Sequence, residues 1–164
     1  MSATTHHETT ISAPEGLPLI EITREFDAPV DRLFRAHTDP ELFVRWIGPR
    51  SIDTRIVEWD CRTGGSWRYV SRHEGEELPE FYGSFHEVRE NERIVQTFCW
   101  TGAPDGVALE IMTLEALPGG RSRLRAVSVG ESVEDRDAMI ASGMEHGVVE
   151  GYQKLDELLA ADAV

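Results

Sequence analysis

Residues 51–129 carry six β-like runs joined by very short connections, and this spacing restricts the fold more than any other feature of the chain. The runs cover 51–60, 66–74, 79–90, 93–101, 107–117 and 121–129. They are punctuated by Thr63-Gly64-Gly65, Glu74-Gly75, Glu90-Asn91-Glu92, Gly102 to Gly106 and Pro118-Gly119-Gly120. Connections this short cannot hold the crossover that parallel strands need, so consecutive strands must pair antiparallel, as a meander. A seventh strand, 19–26, precedes them, and Ala28-Pro29 ends it. Residues 31–38 then show helical spacing of Leu33, Phe34 and His37, and Asp39-Pro40 opens a second short helix through Trp46.

The chain ends in an amphipathic segment, 133–161, expected as one long helix. Ile140, Met144, Gly147, Val148, Gly151, Leu155, Leu158 and Leu159 share one face, while Glu145, Glu150, Asp156 and Glu157 lie mostly off it. Gly147 and Gly151 sit at the centre of the apolar face, where each costs roughly 1 kcal/mol against Ala. Either the backbone packs closely there, or side chains are withheld to make room for a guest. The expected architecture is α+β: a seven-stranded curved antiparallel sheet, two short helices after the first strand, and a long helix laid across the concave face. Such an arrangement leaves space for a pocket between sheet and helix. Residues 1–16, with His6 and His7, lack periodicity and read as a flexible tail, leaving 17–164 as one domain.

Charge narrows the partners. With 16 Lys+Arg against 30 Asp+Glu the net charge is -14, which disfavours nucleic acid and anionic membrane surfaces, both of which call for clustered cations. Residues 131–162 hold nine acids against Arg136 and Lys154, so they supply seven of the fourteen excess charges, chiefly from the solvent face of the terminal helix. There is no long apolar run and no basic, apolar leader, so a cytoplasmic protein is expected, with Cys61 and Cys99 as reduced thiols. Lys154 is the only lysine, a bias towards arginine that suggests a GC-rich bacterial genome.

Several motifs resemble one family. They are Phe26-x-Ala28-Pro29-Val30, Phe34-x-Ala36-x-Thr38-Asp39-Pro40-x-Leu42 and Trp46-x-Gly48-Pro49, followed by Gly64-Gly65-x-Trp67-Arg68 and Gly83-x-Phe85-x-Glu87-Val88. Glu92-Arg93-Ile94-Val95, Phe98-x-Trp100 and Gly143-Met144-x-x-Gly147 complete the set. In order and spacing they resemble the heat-shock-protein-90 ATPase activator homologue-like family of the START-related helix-grip (SRPBCC) superfamily, over about residues 19–160. Ile47 departs from the pattern, which commonly has a second tryptophan there. The resemblance implies the helix-grip fold and its pocket; it implies no particular reaction, because function resides in sites and not in folds.

Strand alternation puts Trp67, Tyr69, Ser71 and His73 on one face, and Ile94, Gln96, Phe98 and Trp100 on one face of another strand. The expected ligand-binding set is Trp46, Trp67, Tyr69, Phe81, Phe85, Phe98, Trp100, Met112, Ile140, Met144 and Gly147. An ordinary filled core would use the same residues. His73 and Tyr69 are the candidates for proton transfer, and no metal or cofactor motif is present: no dinucleotide fingerprint, no phosphate-binding loop, no zinc-ligand spacing. Three functions compete: binding of a small apolar or aromatic guest, a cyclase- or hydrolase-like enzyme using the same pocket, and a chaperone-activator-like interaction module. The last ranks lowest, because one domain offers no second with which to clasp a chaperone. A homodimer is compatible with the pattern, but nothing in it fixes an interface.

Overall fold

The computed structural model describes residues 7–164. One antiparallel sheet holds β1 (Thr10–Ser12), β2 (Leu19–Phe26), β3 (Asp53–Trp59), β4 (Ser66–His73), β5 (Glu76–Arg89), β6 (Arg93–Trp100), β7 (Val107–Leu117) and β8 (Arg121–Val129), in the order β1-β2-β8-β7-β6-β5-β4-β3. Helices α1 (Val30–Thr38) and α2 (Pro40–Trp46) follow β2, and α3 (Val133–Ala141) and α4 (Met144–Ala160) close the chain. The six later strands form the expected meander. β2 returns to pair with β8, from Leu19 opposite Val129 to Phe26 opposite Ser122.

Two expectations are corrected. Residues 10–12, expected within the tail, add an eighth strand beside β2, with Ile11 opposite Ile22. The following segment is held by Arg136, which is buried and donates from Nη1 to the carbonyls of Pro14 and Leu17, at 2.9 Å each. Residues 1–6, with His6, lie outside the described residues. His7 pairs with Asp27 at 2.9 Å.

The terminal helix is also two helices. Gly143 sits at φ 86°, a left-handed conformation open to glycine at no steric cost, and separates α3 from α4. Ser132 starts α3 by accepting a hydrogen bond from the Asp135 N–H at 3.0 Å. Asp39 does the same for α2, accepting from the Glu41 N–H at 3.0 Å ahead of Pro40.

The glycines of α4 resolve towards close packing. A Cβ on Gly151 would lie 3.1 Å from the Trp46 carbonyl oxygen, and one on Gly147 would lie 3.3 Å from Pro49 Cδ. The end of α2 therefore seats directly on the α4 backbone. Below this contact Tyr152, Leu155 and Leu159 enter the core with Ile20, Phe26, Leu33 and Leu124. Asp156, expected mostly off the buried face, is buried on it. It takes a bidentate pair from Arg24 of β2, Nη1 to Oδ1 and Nη2 to Oδ2, both at 2.6 Å.

Candidate functional site

The concave face of β4, β5 and β6 presents four rings in a closed circuit. Trp67 stacks on Tyr69 at 5.4 Å, Tyr69 meets Phe81 at 5.3 Å, Phe81 meets Phe98 at 5.3 Å, and Phe98 returns to Trp67 at 5.9 Å. Gly83 makes this possible. It has no side chain beneath the indole of Trp67, and a Cβ there would fall 2.8 Å from Nε1. From Tyr69 the rings continue through Phe43 of α2, at 5.5 Å, to Trp46, at 5.6 Å, and on to Tyr152 of α4, at 6.0 Å. Aromatic side chains thus run unbroken from the sheet to the covering helix, and offset or tilted rings at these separations attract one another.

β7 contributes the polar part. Val107 and Leu109 are exposed, so the alternate set, Ala108, Glu110, Met112 and Leu114, faces inward. Glu110 stands opposite Gln96 of β6 and Ser128 of β8, and Gln96 Nε2 donates to Glu110 Oε1 at 3.1 Å. Protein surrounds Glu110 closely enough that burial is the main influence on its carboxyl, pushing it up from 4.5 to about 7 against the lowering effect of Gln96. Even so, Glu110 keeps some accessible surface, as do Gln96, Phe98 and Met112 beside it. Glu110 and these neighbours are therefore only partly enclosed on the inward face of β6 and β7.

The phenols of Tyr69 and Tyr152 are both pushed well above their usual range, first by burial and then by the charge of Glu110. Both stay protonated at neutral pH, so each keeps an O–H donor. On α1, His37 contacts Trp46 at 4.8 Å and its Nδ1–H donates to the Leu33 carbonyl at 2.8 Å. Burial lowers its pKa to about 4, so the ring is neutral.

The expected site residues separate into groups. Trp67, Tyr69, Phe81 and Phe98 form the ring circuit, Phe85 packs below it against Trp59 at 6.1 Å, and Met112 neighbours Glu110 along β7. Trp46 is buried on the helical side, with Nε1 donating to the Ala36 carbonyl at 2.8 Å. Ile140 and Met144 are half-buried on that side, and Gly147 faces Pro49. Two lie elsewhere. Trp100, at 41% exposed, packs its ring over Gly102 beyond the concave face. His73 keeps the alternation of Trp67, Tyr69 and Ser71 but lies past them at the strand end, where it is exposed, 3.2 Å from the Ser51 carbonyl. It is not brought together with Tyr69. Cys99 is buried on the opposite face, and burial, with Asp60 beside it, pushes the Cys61 thiol up to about 11, which makes Cys61 a poor nucleophile. Two surface hollows, at Ala103 to Gly106 with Asp135 and at Pro40, Val44, Ile56 and Arg72, lie away from these residues.

Glu110 was not singled out from sequence. Met112, in the expected set, lies two residues on in the same strand and so shares the face of Glu110, as does Gln96 opposite it; these were the available signals.

Residues 27–160 match the family described as activator of Hsp90 ATPase homolog 1-like protein. The chain belongs to that family. A Rhodobacter sphaeroides protein of known structure is 27% identical over 94% of this chain and 99% of its own, with a TM-score of 0.84. A Mycobacterium smegmatis protein is 25% identical over 93% and 97%, with a TM-score of 0.82. A Silicibacter pomeroyi protein of the same family name, at 21% identity over 88% and 99% with a TM-score of 0.70, shares the fold. Among curated proteins, none matches the chain. No described helix is long and apolar enough to cross a membrane.

The raised carboxyl has a consequence for stability. Its folded pKa, about 7, exceeds the ordinary 4.5, so the folded state holds this proton more tightly than the unfolded chain does. Stability from this group is full below about pH 4.5 and is lost as pH rises through 7, with a total of order 3 kcal/mol. Glu110→Gln is expected to remove that part of the slope, so that the variant gains on the parent from pH 5 to pH 8 in urea titrations. Parallel curves would mean that Glu110 is solvated.

Proposed function

We propose that the protein binds a small apolar or aromatic molecule in the space between the curved sheet and the helices that cover it. The observation that supports this reading is the residual accessibility of Phe81, Gln96, Phe98, Glu110 and Met112 on a face where Trp67, Tyr69 and Phe85 are buried. A sheet that only filled its core would have no reason to point a carboxyl and an amide inward beside four rings, because desolvating them uncompensated costs energy. The rings occupy much of the concavity, and the surrounding methionines, Met112, Met139 and Met144, are unbranched side chains that repack around a guest at low cost.

Other readings rank below this one. For proton-transfer chemistry, Glu110 is the group whose pKa suits neutral pH, while Tyr69 is held protonated and His73 is at the surface. For chaperone activation, which the family's description names, the chain would act through its exterior, whereas what is unusual about it is its interior. A melting screen with aromatic and acyl compounds tests the binding reading. A fitting compound at about 100 times its Kd stabilises the protein by roughly 2.7 kcal/mol. No shift across the collection, with no co-purified guest by native mass spectrometry, would count against any interior site.

A further inference from the structure

We infer that the guest carries a basic nitrogen, held by Glu110, with its apolar body against Trp67, Tyr69, Phe81 and Phe98. This deepens the binding reading and rests on it. Glu110 Oε1 accepts one hydrogen bond, from Gln96, while Oε2 has no partner among the described residues and is not among the sealed, unpartnered atoms. Oε2 is therefore accessible on the inward side of β7. An ionised carboxyl accepts and does not donate, so it selects a donor, and an ammonium group satisfies it best. The neighbouring ring faces favour the same charge, since each π-face attracts a cation within about 6 Å. Nothing on the opposite side compensates Glu110 already. Tyr69 of β4 and Tyr152 of α4 face it as neutral phenols, and Gln96 and Ser128 of β6 and β8 are uncharged. Arg24, behind Tyr152, is committed to Asp156, and neutral His37 of α1 touches Trp46, which separates it from Tyr152. An anionic guest would meet Glu110 unscreened.

Binding then releases a proton whenever Glu110 begins protonated, so affinity rises with pH through 7. Matched pairs test this: phenethylamine with 2-phenylethanol, tryptamine with tryptophol, and octylamine with octanol, measured by calorimetry at pH 6 and pH 8. The expected result is that the amine of the best-fitting pair binds at least about tenfold more tightly than its alcohol at pH 8. That amine should lose about tenfold at pH 6, where nine-tenths of Glu110 holds a proton. Glu110→Gln should bring the amine down to the level of the alcohol and leave the alcohol within about twofold. Calorimetry of the unaltered protein in two buffers of different ionisation enthalpy gives an independent reading, with net proton release on amine binding near pH 7. Alcohols binding as tightly as amines, proton uptake in place of release, or an unchanged amine affinity in Glu110→Gln would overturn the basic-nitrogen assignment while leaving an interior site intact. Failure of all six compounds and of the wider screen would overturn the site itself, and the assignment with it.

Discussion

Asp156→Ala is expected to lower stability by about 3–5 kcal/mol, the loss that follows when one partner of a buried ion pair is removed and the other remains. Arg24 has 0% of its side chain exposed and Asp156 6%, and both guanidinium–carboxylate bonds are 2.6 Å long. Arg24 also lies over the Phe26 ring at 4.6 Å, and its Nε is buried without a partner, so it cannot find water when the carboxylate goes. The pair clamps α4 to β2, at the end of the helix away from the ring circuit. A double replacement, Arg24→Met with Asp156→Leu, should recover most of the loss, because apolar side chains of similar volume remove the desolvation penalty along with the attraction. Guanidinium titrations of the three variants decide the matter. A loss below about 1 kcal/mol in Asp156→Ala would mean that the pair is solvated and that α4 is held by its apolar face alone.

Gly83→Ala should be comparably damaging, for a steric reason. A Cβ at residue 83 would lie 1.9 Å from the Thr97 carbonyl oxygen and 2.8 Å from Trp67 Nε1. The first is backbone of the adjacent strand and the second is a ring locked between Tyr69 and Phe98. Neither can retreat without opening the β5–β6 pairing or the ring circuit. Overpacking of this kind typically costs 1–3 kcal/mol and occasionally more, so a loss of about 3 kcal/mol is expected, with guest binding reduced alongside it. Ser84→Ala, one residue on and exposed, should stay within about 0.5 kcal/mol. Equal stabilities for the two variants would show that β5 and β6 separate easily at this point.

Much of the fold was legible in the chain. Short turns forced antiparallel pairing, strand alternation placed Trp67 and Tyr69 inward, and Asp39-Pro40 marked α2 within a residue of where it begins. Local chemistry fixes such features, since a two-residue turn or a capping carboxylate acts over a few residues. The misplaced features were those where local signals were weak or contradictory. Thr10–Ser12 forms a strand because β2 offers it an edge and Arg136 ties down the segment after it. Gly143 reads as one more tolerated glycine in a periodic segment until its φ of 86° divides the helix. Alternation puts His73 on the Tyr69 face but does not show that the end of β4 is open to solvent.

The sequence by itself determined the α+β architecture, the meander, the family and the aromatic strip of the concave face. The architecture, the meander and the strip follow from periodicity and turn chemistry, which are properties of neighbours along the chain, and the family from the resemblance of its motifs. Tertiary structure alone decided which charges are buried. Arg24 and Asp156 are 132 residues apart and meet only when α4 crosses β2. Glu110 meets Gln96 of β6 and Ser128 of β8 only when β7 pairs between those strands. A charge is placed by whichever partner the fold brings to it.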